Sequence, residues 1–355
     1  MSDTQNFTGT RPVAGQHLFD EVALANWLQS RLPGFEGPLT VEMFKGGQSN
    51  PTYKLITPQR AYVMRAKPGP VAKLLPSAHA IEREFRVMSA LQGTGVPVAQ
   101  MHVLCEDESV IGRAFYIMEC VNGRVLWDQS LPGMTNEQRG AIYNEMNRVI
   151  AALHTVKPLE IGLDGYGKPG NYFERQIGRW SKQYLASITQ PIPEMDRLIE
   201  WLPTTIPAQH RSSIAHGDYR LDNMIFHKTQ ARIIAVLDWE LSTLGDPIAD
   251  FSYLMLNWIS PPDGRAGIGG LDHAALGIPT MDEAVARYVA RTGFPVPPMD
   301  WYFAFNLFRL AGIIQGIKKR VIDGTASSAH AREMSDRVLP LVQRAYEYAR
   351  KAGLK

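Results

Sequence analysis

Only two cysteines, Cys105 and Cys120, occur in the 355 residues, and their spacing matches neither a C-x-x-C redox pair nor a set of zinc ligands. A disulfide-stapled secreted domain and a zinc module are thereby excluded, and both thiols read as buried side chains in a reducing compartment. An excess of charge of one sign is also missing. With 37 Lys and Arg against 35 Asp and Glu, the formal net charge is +2, which fits neither a nucleic-acid binder nor an acidic disordered chain. No apolar run suits a bilayer. The longest, WYFAFNLFRLAGIIQGI from Trp301 to Ile317, is broken by Asn306 and Arg309 and falls short of the roughly 20 residues a span requires, so it reads as a buried helix. The start, MSDTQNFTGTRPVAG, has no basic stretch leading into an apolar core; no secretory signal is expected, and the expected setting is cytoplasmic. Internal repeats and low-complexity tracts are absent as well. What remains is an ordinary globular composition, 45% hydrophobic and 20% charged, about two domains' worth of chain with a substantial core.

The chain divides into two halves of different pattern. A polar tail and a short amphipathic helix around Phe19 to Leu32 lead to TVEMFKGGQSNPTYKLIT, in which Gly46 and Gly47 separate two β-favouring stretches, and RAYVMRAK supplies a third. SAHAIEREFRVMSALQG then predicts a helix with Ser77 as N-cap and Gly93 as stop. AQMHVLCED and RAFYIMECV predict two more strands. From Thr135, which forms a capping box with Gln138, helices dominate: further ones are expected at Tyr172 to Ser187, Asp282 to Thr292, Trp301 to Arg320 and Ala331 to Ala352. The long loop signal is SPPDGRAGIGGLD, Ser260 to Asp272. The expected organisation is a tail and helix over 1–39, a nucleotide-binding lobe over 40–121 and a helical lobe over 122–355.

The stretch HGDYRLDNMIFH, residues 216 to 227, interrupts the helical half. MIFH and ARIIAVL are extended apolar runs joined by a short polar turn, which reads as a hairpin. Folding it brings Asn223, before the first strand, close to Asp238, after the second. An amide oxygen beside a carboxylate makes a hard ligand pair suited to Mg2+, which takes one or two protein carboxylates plus substrate phosphates. Asp218 projects from the same loop and can accept or orient the proton of a substrate hydroxyl. Asp222 reads as a turn residue. A D-x-x-x-x-N pair followed about twenty residues later by an aspartate after a hairpin corresponds to the kinase catalytic loop and its metal-binding aspartate. Neither D-F-G nor A-P-E follows, which argues against a protein kinase.

HGDYRLDN together with VLDWELSTLGDPIADFS resembles the aminoglycoside phosphotransferase-like family of small-molecule kinases, in which H-G-D stands for H-R-D. RQIGRWSKQY (175 to 184) and FRLAGIIQGIKKR (308 to 320) resemble the branch related to kinase domains associated with acyl-CoA dehydrogenases. The resemblance implies an α+β, two-lobed protein-kinase-like fold, with a small mainly antiparallel lobe carrying one main helix and a larger helical lobe. It implies ATP and Mg2+ as cofactors and a hydroxyl as acceptor. By motif, Asp218 resembles the catalytic base, Asn223 and Asp238 the metal ligands, and His216 a residue that braces the loop. Asp246 and Asp250 resemble residues that anchor the loop from beneath, although Asp246 followed by Pro247 is also an ordinary helix start. Glu119 to Val121 resemble the hinge that meets adenine through backbone groups.

With a metal-nucleotide site indicated, Gly46, Gly47 and Ser49 become candidates to lie over the phosphates. The third strand, where kinases carry a lysine, has Arg65, with Lys67 two residues on and on the same face; register favours Arg65, while Lys67 stays open. Helical rotation of about 100° per residue favours Glu84 over Glu82 as the acidic partner, because it lies nearer the face defined by Ile81, Phe85, Met88 and Leu91. From Asp300 to Lys355 ten Lys and Arg face five Asp and Glu, so the segment carries +5. The expected substrate is therefore a small anionic hydroxylated molecule of the hydroxyacyl-CoA kind, drawn to Lys318, Lys319 or Arg320, with no nucleic-acid or membrane partner. An aminoglycoside or other small-alcohol kinase, and a pseudokinase acting as a binding module, are the alternatives.

Overall fold

The computed structural model describes residues 9–45, 50–69, 80–168, 170–262, 267–324 and 333–355. Gly46, Gly47 and Ser49 lie outside the described residues, as does Ser77. The first half is a six-stranded antiparallel sheet in the order β1-β2-β3-β4-β6-β5. Its strands are β1 (Thr10–Pro12), β2 (Thr40–Phe44), β3 (Thr52–Ile56), β4 (Ala61–Ala66), β5 (Met101–Cys105) and β6 (Phe115–Glu119). In β3 the inward positions Tyr53 and Leu55 alternate with half-buried neighbours, the two-residue period of a strand with one core face. Against that face packs α1 (Glu21–Arg31), started by Asp20, whose side chain accepts from the amides of Val22 and Ala23. Leu24 and Leu28 join Tyr53, Leu55 and Phe115 in one buried cluster.

Helix α2 (Ile81–Leu91) follows Ala80, which offers no side-chain cap, so helix starts there without the serine that the sequence pattern favoured. Its buried residues are Ile81, Glu84, Val87, Met88 and Leu91, while Phe85 is half-buried. The inward face is thus rotated toward Glu84, a carboxylate held in the apolar layer that joins the two halves.

The second half is helical: α3 (Asn136–Thr155), α4 (Tyr172–Leu185), α5 (Pro193–Trp201), α6 (Pro247–Ile259), α7 (His273–Leu276), α8 (Met281–Thr292), α9 (Asp300–Ile322) and α10 (Val338–Lys351). The Thr135–Gln138 capping box forms at the head of α3. Helix α10 starts later than its sequence pattern: Asp336 and Arg337 form a turn, and Pro340 lies in the first helical turn, where no intrahelical N–H bond is lost. Helix α6 is buried from Pro247 to Trp258, so no polar stripe marks it in the sequence. Two small sheets sit among the helices. β7 (Arg124–Val125), β9 (Met224–Phe226) and β10 (Ile233–Val236) run in the order β10-β9-β7, and β8 (Ser213–Ala215) pairs with β11 (Thr243–Gly245). Among the described residues, no helix is long and apolar enough to cross a membrane. Cys105 and Cys120 are free thiols, buried and half-buried respectively.

Candidate active site

Residues 216–223 leave β8 and enter β9 through a short 3-10 turn at Leu221–Asn223. Both ends are tied: β8 pairs with β11 through Ala215 and Thr243, and β9 pairs with β10 through Met224 and Val236. The second pairing continues as the Leu237 amide donates to the Asn223 carbonyl at 2.8 Å, which sets Asn223 beside Asp238. Asn223 Nδ2 donates to Asp218 Oδ2 at 3.0 Å and to the Asp218 carbonyl at 2.9 Å. Its remaining side-chain atom, Oδ1, is a hard oxygen donor. Asp218 Oδ1 accepts from the Tyr253 hydroxyl at 2.5 Å; burial, and then the Asp218 charge, push the Tyr253 pKa far up, so the phenol stays neutral and donating.

Beneath the loop lies Asp250, one turn into α6. Its Oδ2 accepts from the His216 amide and its Oδ1 from the Gly217 amide, each at 2.8 Å, and His154 Nε2 lies 3.2 Å from Oδ2. Burial raises the Asp250 pKa, but the His154 hydrogen bond and charge, with His216 and its amide, outweigh it and hold the carboxyl below its ordinary value. Its contribution to stability is in place above about pH 4, near the unfolded-chain pKa, and is lost as acid protonates the folded carboxylate. His216 is buried, its Nε2–H donates to the Leu237 carbonyl at 2.8 Å, and its Nδ1 accepts from the Asp218 amide at 3.2 Å. With both nitrogens engaged in holding Asp218 and Asp238 in register, His216 braces the loop and has no nitrogen left for proton transfer. Gly217 takes φ +85°, and a Cβ there would meet the Leu241 carbonyl at 2.9 Å, so only glycine fits.

Across from the loop, Arg65 at the end of β4 spans three carboxylates. Its Nε lies 3.1 Å from Glu84 Oε2, and its Nη2 lies 3.2 Å from Asp238 Oδ1 and 3.5 Å from Glu240 Oε2. Glu84 also accepts from Asn50 Nδ2 at 2.9 Å and from the Tyr116 hydroxyl at 3.1 Å. Burial pushes the Glu84 pKa up, and Arg65 opposes it. Asp238 holds a left-handed backbone, φ 63° and ψ 63°, a strained conformation for a non-glycine residue that the surrounding pairings impose.

A profile of the phosphotransferase enzyme family (APH) matches residues 40–301. The chain belongs to the phosphotransferase enzyme family. It is 45% identical to mouse acyl-CoA dehydrogenase family member 10 over 98% of its own length, and it spans 33% of that relative's length. A solved structure from Ralstonia eutropha JMP134, named provisionally as an aminoglycoside phosphotransferase, is 59% identical with a TM-score of 0.86, covering 94% of this chain and 99% of that one. At 14% identity and a TM-score of 0.56, a thermostable mutant of aminoglycoside phosphotransferase APH(4)-Ia in ternary complex with AMP-PNP and hygromycin B shares the fold, covering 92% of this chain and 98% of that one. The two-lobed kinase-like architecture expected from the motifs is therefore the architecture of this phosphotransferase.

Two of the expected site residues are placed elsewhere in the phosphotransferase. Lys67 follows the end of β4, so strand alternation no longer governs it, and its Nζ pairs with Glu82 Oε2 at 3.2 Å. Arg65 and Glu84 make the pair at the site instead. Asp246 caps α6, accepting from the Ile248 amide at 2.8 Å, which leaves loop anchoring to Asp250. Glu119 ends β6, and Val121 follows in the half-buried link between the halves. Lys318, Lys319 and Arg320 occupy the last turns of α9, where Lys319 Nζ reaches Asp323 at 2.5 Å. Asp222 pairs with Arg220 at 2.5 Å within the loop.

Sequence reasoning missed Tyr253, His154 and Arg309. Arg309 is buried, donates through Nη2 to the Gly217 carbonyl, and lies 4.9 Å from the Tyr253 ring centroid. The signal was present: a lone arginine interrupting the longest apolar run is costly unless partnered. Tyr253 stands three residues after Asp250, on the same face of α6.

Among the described residues, no group of three or more His, Cys, Asp or Glu is arranged to hold a metal ion. An amide oxygen and a partly exposed carboxylate, Asn223 and Asp238, nevertheless suit Mg2+ when substrate phosphates complete its shell. The anchoring has its own test. Asp250→Asn puts an amide NH2 where three N–H donors now converge, and thermal or urea unfolding at pH 7 is expected to show a loss of about 3–5 kcal/mol. A loss below about 1 kcal/mol would remove Asp250 from the bracing role.

Proposed function

We propose that this enzyme transfers the γ-phosphoryl group of ATP to a hydroxyl of a small anionic molecule of the hydroxyacyl-CoA class, with Mg2+ as cofactor, in a cytoplasmic setting. The observation that carries the phosphotransfer reading is Asp218, its two carboxylate oxygens held by Tyr253 and Asn223, in a loop that also brings Asn223 beside Asp238. In this reading Asp218 orients the acceptor hydroxyl and takes its proton as the new O–P bond forms. The bond from the γ-phosphorus to the bridging oxygen breaks, ADP leaves with that oxygen, and the proton passes from Asp218 to solvent. Mg2+, held by Asn223 and Asp238, would neutralise charge on the phosphates. Arg65, fixed by Glu84, adds a cation beside Asp238. Gly46, Gly47 and Ser49 would cover the phosphates, and the backbone of Glu119 to Val121 would meet adenine.

The acyl-CoA class draws support from the mouse relative, whose name places it among acyl-CoA dehydrogenases and of which this chain matches a third. Charge supports it too, because the +5 segment from Asp300 to Lys355 repels a polycationic aminoglycoside. Steady-state phosphorylation of hydroxyacyl-CoA thioesters beside kanamycin-type compounds, each at two salt concentrations, tests this. Turnover of the thioesters, weakened by salt, is expected; turnover of the antibiotics alone would overturn the substrate class. ATP binding with no turnover of any alcohol would favour the pseudokinase module.

A further inference from the structure

An open groove of about 650 Å³ runs along α4 and the turn before it. Four cations line it, Lys168, Arg175, Arg179 and Lys182, against one carboxylate, Glu174. Among the described residues, none of the four forms an ion pair with an acidic side chain, whereas Lys319 at the end of α9 already has Asp323. Arg175 is held in place by main-chain acceptors: it donates to the carbonyls of Gly170 and Lys168. That fixes the guanidinium and leaves its charge uncompensated. Two further arginines act on Arg179 through their charge. Burial first, then the charges of Arg309 and Arg83, push its pKa down, as expected where cations gather without an anion.

A second observation comes from Gly178. Glycine inside a helix costs about 0.5–1 kcal/mol against alanine, and it is usually retained because a neighbour approaches closely. Here a Cβ on Gly178 would meet nothing within 4 Å, and Gly178 lies in the groove between Arg175 and Arg179. The space over the Gly178 backbone is therefore open to a ligand lying on the helix.

The groove is joined to the catalytic loop. Beside Lys168 at the end of the groove, a Cβ on Gly167 would meet Thr243 Oγ1 at 2.7 Å, and Thr243 pairs with Ala215, the residue before His216. By contrast, Lys318 is nine residues along α9 from Arg309, about 13 Å at 1.5 Å per residue.

From this we infer that the α4 groove seats the phosphate-bearing end of the acceptor substrate, with Arg175 and Arg179 as its specificity-determining cations and Gly178 as its floor. The inference rests on the proposed anionic substrate, and it moves the seat from the end of α9 to α4.

The test is titration calorimetry on the full chain saturated with AMP-PNP and Mg2+, using coenzyme A and adenosine 3′,5′-bisphosphate as probes. Arg179→Ala and Arg175→Ala are each expected to weaken coenzyme A by about tenfold or more, the worth of one charge-assisted hydrogen bond. Gly178→Leu should weaken it similarly while keeping or raising the melting temperature, which separates blocking from misfolding. AMP-PNP affinity should not change in any of them. The triple variant Lys318→Ala, Lys319→Ala, Arg320→Ala should bind coenzyme A as the parent does. If that triple variant loses coenzyme A and the groove variants keep it, the groove assignment fails and the coenzyme A reading survives. If adenosine 3′,5′-bisphosphate binds in the groove and coenzyme A does not, the groove stands and the acyl-CoA class fails. Wild-type chain that binds neither probe at millimolar concentration overturns the groove outright, whatever its kinase activity.

Discussion

Asp218→Ala is expected to lower kcat by about a hundredfold to ten-thousandfold and to leave ATP affinity within about twofold of the parent. The split follows from the geometry. Asp218 is fixed by the Tyr253 hydroxyl and the Asn223 amide, and a carboxylate has further lone pairs with which to meet a substrate hydroxyl. Its carboxylate bonds neither Arg65 nor Asp238, and its one link to the proposed metal pair is Asn223 Nδ2, which keeps its bond to the Asp218 carbonyl when the side chain is removed, so the loss is expected to fall on the transition state. Asp238→Ala should show the complementary pattern: weakened Mg2+-dependent nucleotide binding. Equilibrium binding of ATP beside single-turnover kinetics distinguishes the two, and near-normal turnover by the Asp218 variant would refute the assignment of the loop.

Arg65→Ala should raise the Michaelis constant for ATP by about tenfold to a hundredfold, the worth of one or two charge-assisted hydrogen bonds. It should also lower stability, because Glu84 is buried and loses the cation that opposes the rise in its pKa. Lysine will replace it poorly. The arginine reaches Glu84 through Nε and Asp238 and Glu240 through Nη2, and an ammonium is a point charge that cannot span both sides. Lys67→Ala should change the constant little, since Lys67 is spent on Glu82. If Lys67→Ala has the larger effect, the phosphate-facing role passes to Lys67; if neither variant matters, the site does not handle ATP as described.

Much of this was legible in the sequence because the informative residues are close together in it. Asp218 and Asn223 share one loop, and the hairpin that brings Asp238 to them is short enough to be read from its alternation. Arg65 and Glu84 were found by register and helical rotation, although the buried face of α2 is turned toward Val87 and away from Phe85. The rest depends on contacts that local pattern does not carry. Helix α6 is buried all round, so it has no amphipathic signature, and Tyr253 within it could not be assigned a direction. Asp246 and Asp250 share the motif GDPIAD, but only the packing of α6 beneath β8 turns one into a cap and the other into the anchor. Arg309 reaches Gly217 across 92 residues of sequence, and no local rule predicts such a partner.

That long reach bears on how the chain comes together during synthesis. The six-stranded sheet and α1 are built from residues that emerge first, with strand pairings that reach no further than from Tyr62 to Glu119, and loop closure is faster over shorter separations. The catalytic loop is different: its amides await Asp250, and its Gly217 carbonyl awaits Arg309. A ribosome that has released the six-stranded half must translate through α9 before Asp218 acquires its full support. In this order of assembly the chain holds a formed sheet half well before it holds a formed loop at Asp218, and competence for phosphoryl transfer arrives with the last third of the polypeptide.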